Sequence, residues 1–134
     1  MSTNSEKVKQ VWEHYGNGDV YEVLEMVSDD VVFAFPSTYN REASATTEYK
    51  GRNGVLAMLG DIANSNVERG VPTGERVYEQ GNDVIVFATS KASRKDNGEA
   101  TDIAVVQLWR FNSEGKLSEV RDYVDALAWA KAYV

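Results

Sequence analysis

The amino-acid sequence predicts an α+β domain in which helices pack on one face of a curved sheet. In the first half of the chain, apolar residues recur at the three- and four-residue spacing of one helical face. From Gly74 onward they alternate with polar residues instead, and turn-forming residues separate the alternating segments. Because the predicted helices precede these strands rather than alternating with them, we expect the helices on one side of an antiparallel sheet.

The composition restricts the partners and cofactors. A chain of 134 residues with 43% hydrophobic residues has the usual size of one domain, which we assign to residues 1–134. Its net charge of -7 argues against nucleic acid and anionic membranes as partners. With no cysteine, a single histidine (His14) and no glycine-rich phosphate loop, we expect neither a metal nor a cofactor. There is no apolar leader and no apolar run of about 18 residues, so we expect a cytoplasmic protein.

Two helices are predicted before the first strand. The first covers residues 5–15, and Thr3 and Glu6 have the spacing of a capping box. The sequence GNGD then breaks the chain, and Asp19 with Glu22 is expected to cap the second helix. The apolar positions of the two helices are Val8, Val11, Trp12, Tyr15, Val23, Leu24, Met26 and Val27.

The middle of the chain predicts a strand, a loop and a third helix. The segment DDVVFAFP is rich in β-branched and aromatic residues and ends at Pro36, as a strand does. Residues 37–49 are polar and aperiodic, which predicts a surface loop; the sequence leaves open whether its Tyr39 and Tyr49 reach a pocket mouth. In RNGVLAMLGDIANS, one helical side carries Val55, Met58, Leu59 and Ile62.

Four long antiparallel strands are predicted in the second half of the chain. Their sequences are GERVYEQ, DVIVFATSKAS, TDIAVVQLWRF and KLSEVRDYV. The segments GND, RKDNGE and NSEG between them are rich in residues that permit hairpin turns. The four strands therefore form a meander.

The two central strands of this meander begin apolar on both faces. In the first of them, Val84 and Val86 alternate with Ile85 and Phe87, and the next strand has the same character. A strand that is apolar on both faces is covered on both. We therefore predict a homodimer through the outer face of the sheet, with coverage by the C-terminal tail ALAWAKAYV as the alternative.

This order of elements resembles the nuclear-transport-factor-2-like (cystatin-like) fold and, within it, the SnoaL-like group. The resemblance covers nearly the whole chain and is carried by GNGD, SDDVVFAFP, YKGRNGV and RFNSEGKLSEVRDYVD. It implies a cone-shaped, strongly curved mixed or antiparallel sheet, with three helices from the N-terminal half on its concave face around a pocket. Relatives include polyketide cyclases, ketosteroid isomerases and limonene-epoxide hydrolases, which vary the lining of that pocket freely.

The resemblance to the isomerases and cyclases does not extend to most of their catalytic residues. The isomerases place a base carboxylate before the proline of the first strand, where this chain has Phe35. Their oxyanion pair corresponds to Val11 and Gln107. The cyclases carry an acid at the position of Asp122, but their histidine partner falls at Leu108 or Gln107.

The resemblance to the epoxide hydrolases is strongest in RDYVD, where their water-activating aspartate corresponds to Asp122. Their remaining polar residues correspond to Ala88, Ser90, Phe33 and Phe35. Asp122 is therefore the acid at the position that two groups of relatives use.

Asp122 is the main candidate for a catalytic residue. Strand alternation groups it with Val120 and Val124, and the resemblance implies that these residues face the interior of the cone. A carboxyl group among apolar neighbours has a raised pKa and can exchange a proton near neutral pH. Two alternatives stay open: a buried acid satisfied by Tyr15, Gln107 or a backbone amide, and an Asp122 that faces water.

The other candidates orient or surround a ligand. Gln107 is the polar residue between Val105 and Trp109 on its face; it either positions a substrate carbonyl or a water, or only bonds to Asp122. An aromatic lining suits a flat apolar ligand, and ordinary core packing is the alternative. The predicted ligand-binding residues are Trp12, Tyr15, Phe33, Phe35, Ser90, Trp109 and Val124.

Three further polar features are expected to be structural. His14 lies off the apolar stripe of the first helix, which predicts a partly exposed surface group. Arg121 and Glu119 are expected to form a surface ion pair. The acidic pair at residues 29–30 predicts a helix-to-strand turn, since no third metal ligand is near in sequence.

Three functions are compatible with these residues. The first is a cofactor-independent isomerase, cyclase or epoxide-hydrolase-like enzyme for an apolar small molecule, with Asp122 as general acid or base and Gln107 as orienting group. The second is a binding module in which Asp122 only orients a hydrophobic ligand. The third is a dimeric association domain with a vestigial pocket. The sequence does not identify the ligand.

Overall fold

The structure is a computed structural model, which describes residues 3–36 and 46–133. Within these residues it contains four helices and seven strands. The helices are α1 (Asn4–Asn17), α2 (Val20–Met26), α3 (Gly51–Asn64) and α4 (Ala126–Tyr133). The strands are β1 (Val27–Pro36), β2 (Thr46–Lys50), β3 (Val67–Arg69), β4 (Thr73–Gln80), β5 (Asp83–Arg94), β6 (Ala100–Phe111) and β7 (Leu117–Val124).

The strands form one strongly curled sheet. Its order is β2-β1-β7-β6-β5-β3, and β4 also pairs with β5. Strands β4 to β7 are the predicted antiparallel meander. Strand β1 pairs with β7 in parallel, so the sheet is mixed. The predicted α+β class and cone shape are confirmed.

The predicted break between the first two helices is present, but its capping differs from the prediction. Thr3 accepts a hydrogen bond from the amide of Glu6, as the capping box predicts. Helix α1 ends at Asn17 and is capped by Gly18, whose φ of 75° is left-handed and therefore favours glycine. The side chain of Asp19 makes no capping hydrogen bond to α2. It lies instead 3.4 Å from Nδ1 of His14, which is half-buried.

Three elements have no counterpart among the predicted ones. Residues 46–50 form β2, so the end of the loop expected over residues 37–49 is a strand. Tyr39 lies outside the described residues. Strand β3 has three residues, too few to show an alternating pattern. The C-terminal tail forms α4, a fourth helix in addition to the three expected.

The acidic pair at residues 29–30 lies within β1 and not in a turn. The pairing of β1 with β7 shifts between Val27 and Val32, as it does at a bulge. The hydroxyl of Ser28 donates a 2.7 Å hydrogen bond to the carboxylate of Asp30, so this carboxylate has a partner within its own strand.

The sheet has a buried inner face and an outer face that is partly exposed in the single chain. On β5, Val84 and Val86 point inward and are fully buried. Ile85 and Phe87 point outward and are 40% and 41% exposed. The apolar pattern on both sides of this strand therefore reflects a packed core on one side and an uncovered apolar surface on the other.

Helix α4 packs on the inner face, at one end of the sheet. Its fully buried Trp129 packs with Ala92 and Ile103, which share the inward parity of β5 and β6. The expectation that the C-terminal tail might cover the outer face is therefore wrong. Trp129 and Ala132 are the residues that α4 buries, and they pack with Val67, Ala92 and Ile103 inside the cone.

Candidate active site

A cavity of about 100 Å³ lies between α1, α3 and the inner face of the sheet. Most of its lining is apolar, and four lining side chains carry hydrogen-bonding groups at their tips: Tyr15, Arg69, Gln107 and Asp122. The apolar lining residues are Val11, Trp12, Val23, Phe33, Phe35, Met58, Leu59, Ile62, Pro72, Trp109 and Val120. A mostly apolar cavity with a few converging polar groups is the usual form of a small-molecule site.

Aromatic side chains build two walls of the cavity. Trp12 of α1 meets Trp109 of β6 edge to face, with 6.1 Å between ring centroids. Phe33 and Phe35 of β1 lie on one side of their strand, with centroids 6.2 Å apart. These rings present flat apolar surfaces to the space between them, which suits a planar ligand.

The polar side of the cavity is a chain of three hydrogen-bonded side chains. Trp109 donates its Nε1–H to Oε1 of Gln107 at 3.1 Å. Gln107 donates from Nε2 to Oδ1 of Asp122 at 3.0 Å. The register of β6 and β7 brings this about, because Gln107 and Asp122 are directly paired positions on neighbouring strands. The indole thereby fixes which end of the Gln107 amide faces Asp122.

Burial raises the pKa of Asp122 to about 6, while the positive charge of Arg69 and the hydrogen bond from Gln107 lower it. Burial dominates because an ionised carboxylate loses hydration in apolar surroundings. A carboxyl with this pKa both accepts and donates a proton near neutral pH, which is what general acid–base catalysis requires. Asp122 lines the cavity, so the alternative that placed it in water is wrong.

Arg69 is a polar lining residue that no pattern in the sequence indicated. It lies on β3, and its Nε donates to Oγ of Ser90 at 3.1 Å. Its guanidinium carbon is 5.0 Å from the ring centroid of Trp129 in α4. The signal in the sequence was weak: a single arginine in the segment VERG, with no helical or strand period around it.

Two of the predicted ligand-binding residues lie beside the cavity and do not line it. Ser90 is 1% exposed and is occupied by its bond with Arg69. Val124 is half-buried and packs against both apolar clusters of the core. The other five, Trp12, Tyr15, Phe33, Phe35 and Trp109, are in the lining. Their roles in binding stay predictions.

Several charged residues outside the cavity form ion pairs. Arg121 bonds to Glu119, as expected, and also to Glu48 at 3.3 Å. Tyr49 does not reach the cavity lining; its hydroxyl donates to Asp61 at 2.6 Å and ties β2 to α3.

Over residues 3–36 and 46–133, no three metal-ligating side chains are grouped together. In the same residues, no helix is long and apolar enough to span a bilayer.

The sequence matches the model of the SnoaL-like domain over residues 8–120. The chain belongs to the SnoaL-like family. No curated protein matches this SnoaL-like sequence significantly. The matched segment includes every cavity-lining residue except Asp122, which follows it by two positions.

Solved structures share the fold of this SnoaL-like protein at low sequence identity. A nuclear-transport-factor-2-like protein of unknown function from Burkholderia pseudomallei aligns with a TM-score of 0.84 and 21% identity, over 100% of this chain and 99% of its own. TerC, co-crystallised with polyporic acid, aligns at 0.83 and 20%, over 98% of each chain. A candidate SnoaL-like polyketide cyclase from Jannaschia aligns at 0.75 and 20%, over 97% of this chain and 90% of its own. At these identities the likeness establishes the fold alone.

Proposed function

We propose that this SnoaL-like protein is a cofactor-independent enzyme that moves a proton on an apolar small molecule. The observation that carries the proposal is the side chain of Asp122. It lines an apolar cavity, its pKa is raised to about 6, and Gln107 holds one of its oxygens. Perturbed carboxyl groups in clefts are typical of catalytic sites.

The reaction class we propose is proton removal from a carbon next to a carbonyl group. The carboxylate of Asp122 takes the proton, and the electron pair of the C–H bond moves into the carbonyl to give an enolate. In a β,γ-unsaturated carbonyl compound the enolate extends over the double bond, and return of the proton from Asp122 to the γ-carbon isomerises the substrate. Attack of the enolate carbon on a second carbonyl forms a ring instead, and the new alkoxide then takes the proton back from Asp122. Gln107, fixed by Trp109, keeps Asp122 in one orientation throughout.

Hydration of an epoxide is supported less well. The positions that correspond to the further polar residues of the epoxide hydrolases are Phe33, Phe35, Ala88 and Ser90. The two phenylalanines are lining residues without polar groups. Ser90 is already bonded to Arg69. An activated water at Asp122 would have no proton donor among these residues for the epoxide oxygen.

Hydrogen–deuterium exchange tests the proposal directly. We expect the protein in deuterium oxide to catalyse exchange at the α-carbon of 2-tetralone, an apolar aromatic ketone, as followed by proton NMR. Asp122→Asn is isosteric but cannot accept the proton, so the catalysed rate should fall by about 100-fold or more. Asp102→Asn, an exposed aspartate on the neighbouring strand, is the matched control and should keep the full rate.

Equal exchange rates for the wild type and Asp122→Asn would contradict the role of Asp122. Binding of the ketone without exchange would favour the second function, a binding module in which Asp122 only orients a hydrophobic ligand. The departure of this chain from the catalytic residues of its relatives supports that alternative. TerC, a protein of the same fold, was co-crystallised with polyporic acid, a small organic molecule, and this supports it too.

We also propose a homodimer through the outer face of the sheet. Its support is a contiguous apolar surface on β4, β5, β6 and β7, where cross-strand pairing joins outward side chains. These residues are Tyr78, Ile85, Phe87, Val106, Leu108 and Tyr123. Tyr78, Phe87 and Tyr123 are 53%, 41% and 60% exposed in the single chain. Exposed apolar surfaces of this kind mark interaction sites.

A single domain over residues 1–134 and a cytoplasmic location stay predictions. Limited proteolysis with mass spectrometry tests the first, and cell fractionation with an antibody tests the second.

A further inference from the structure

Arg69 is held in one position by side chains from two other elements of the structure. Its Nε donates to the buried hydroxyl of Ser90 on β5. Its guanidinium lies against the ring of Trp129 and bonds to Tyr133, both on α4. A guanidinium carries several N–H donors, so these contacts leave donors for another partner. The side chain is thus pre-oriented at the edge of the cavity that it lines.

Within residues 3–36 and 46–133, no carboxylate forms a salt bridge with Arg69. The arginines that form salt bridges within the described residues are Arg52, Arg94, Arg110 and Arg121. Arg69 acts on Asp122 only through space. A guanidinium beside an apolar cavity, without a carboxylate against it, attracts a negatively charged oxygen from a ligand.

The field of Arg69 also reaches two phenols at this end of the cavity. Burial raises the pKa of Tyr133 to about 12 and raises the pKa of Tyr15, and in both cases Arg69 opposes the shift. Both hydroxyls therefore stay protonated at neutral pH and are neutral hydrogen-bond donors. They add no negative charge that would neutralise Arg69.

We infer that Arg69 is an anion-binding residue and that the cavity selects apolar molecules carrying one acidic oxygen, such as a carboxylate, a phenolate or an enolate. The inference rests on the proposed use of the cavity for an apolar ligand. The aromatic walls take the carbon skeleton, and Arg69 takes the charged oxygen. The preferred ligand is therefore an aromatic or polycyclic acid and not a neutral hydrocarbon.

A matched pair of probes tests this selectivity. 2-Naphthoate and 2-naphthamide have nearly the same shape and differ in charge, and isothermal titration calorimetry at about pH 7.5 gives both affinities. We expect the wild type to bind the carboxylate about tenfold or more tightly than the amide, as a charge-assisted hydrogen bond provides. Arg69→Met should bring the two affinities to within about twofold. Arg76→Met, an exposed arginine on β4, should keep the preference.

The wild type alone can overturn the inference, so the result does not depend on whether Arg69→Met folds. A carboxylate that binds no more tightly than the amide, or no binding by either probe, refutes it. Arg69→Lys keeps the charge and should keep part of the preference for the carboxylate. Loss of this preference in Arg69→Met, with an unchanged melting curve, confirms the role of Arg69.

Asp122→Asn separates this inference from the proposed function. It should abolish exchange on 2-tetralone and yet bind 2-naphthoate as tightly as the wild type or more tightly, because it removes a negative charge near the ligand. Failure of exchange in the wild type with intact carboxylate preference would refute the proposed catalysis alone. Exchange without carboxylate preference would refute only the role of Arg69.

Discussion

Asp122, Gln107 and Trp109 form the hydrogen-bonded polar side of the cavity. Each is ordinary by itself: an amide and an indole on β6 and an acid on the neighbouring strand β7. In the folded chain the indole orients the amide, and the amide bonds to the acid. Because Gln107 is 5% exposed, its two polar ends need partners. The pairing of β6 with β7 supplies Asp122, and Trp109, two positions along β6, supplies the other.

The raised pKa of Asp122 predicts a pH-dependent cost to stability. Its value is about 6 in the folded chain and about 4 in an unfolded one. The folded state therefore holds this proton more tightly, so stability is lost as the pH rises from about 4 to about 6. Above that window, keeping the group ionised costs at most about 3 kcal/mol.

Asp122→Asn should remove this cost. We expect the variant to be more stable than the wild type by about 1–3 kcal/mol at about pH 8 and equal to it near pH 4. Urea unfolding followed by tryptophan fluorescence measures both. Asp102→Asn, where the acid is exposed, should show no such difference. A gain of the same size at both pH values would show that ionisation is not its cause.

At the scale of elements, helix α4, which was not among the predicted helices, supports the side chain of Arg69 at the edge of the cavity. Trp129 stacks on Tyr133 at 4.3 Å and covers Arg69. Both ends of the helix are anchored by side chains. Asp125 accepts hydrogen bonds from the amides of Leu127 and Ala128, and Arg94 donates to the carbonyl of Ala132 at 3.2 Å. Asp125 is thus a helix cap, which strand parity alone did not indicate.

Removal of this cap should loosen α4 specifically. Asp125→Ala is expected to cost about 1 kcal/mol, and Asp125→Asn much less, because asparagine caps nearly as well. Hydrogen exchange of the amides of residues 126–133, with urea unfolding, measures both effects. Faster exchange in α4 with unchanged protection in β5 and β6 is the expected pattern. Equal losses in the alanine and asparagine variants would contradict capping.

Tyr49 makes a comparable tie between β2 and α3. Its ring is 8% exposed and its hydroxyl bonds to Asp61, which raises the phenol's pKa further beyond the effect of burial. We expect Tyr49→Phe to lower the unfolding free energy by about 1 kcal/mol, the usual net value of such a bond. Thermal denaturation measures it. An unchanged melting temperature would show that the bond contributes nothing net.

At the scale of the whole molecule, the sheet has two apolar faces, and they differ in how far the single chain buries them. The inner face is covered by the helices and forms the cavity. The outer face carries Phe87 against Tyr78, edge to face at 6.1 Å, with water on one side in the single chain. A partner chain on this face would bury it without touching the cavity.

Phe87→Lys should abolish dimer formation, because it places a charge in the middle of the proposed interface. Sedimentation velocity is expected to give a dimer for the wild type and a monomer for the variant. Tyr21→Lys replaces an aromatic residue that is 81% exposed on α2, away from the sheet, and should leave the dimer intact. A monomeric wild type would refute the interface.

The inward direction of Asp122 was implied by the family resemblance. By itself the sequence determined the α+β class, the first three helices, the long strands and the strand face that Asp122 shares with Val120 and Val124. These features depend on local periodicity and turn residues, which act over a few positions. Only the tertiary structure decided the parallel pairing of β1 with β7, the short strand β3 and the position of α4. It thereby brought Arg69 to the cavity and set Ser90 behind it, because contacts between residues far apart in sequence leave no local pattern to read.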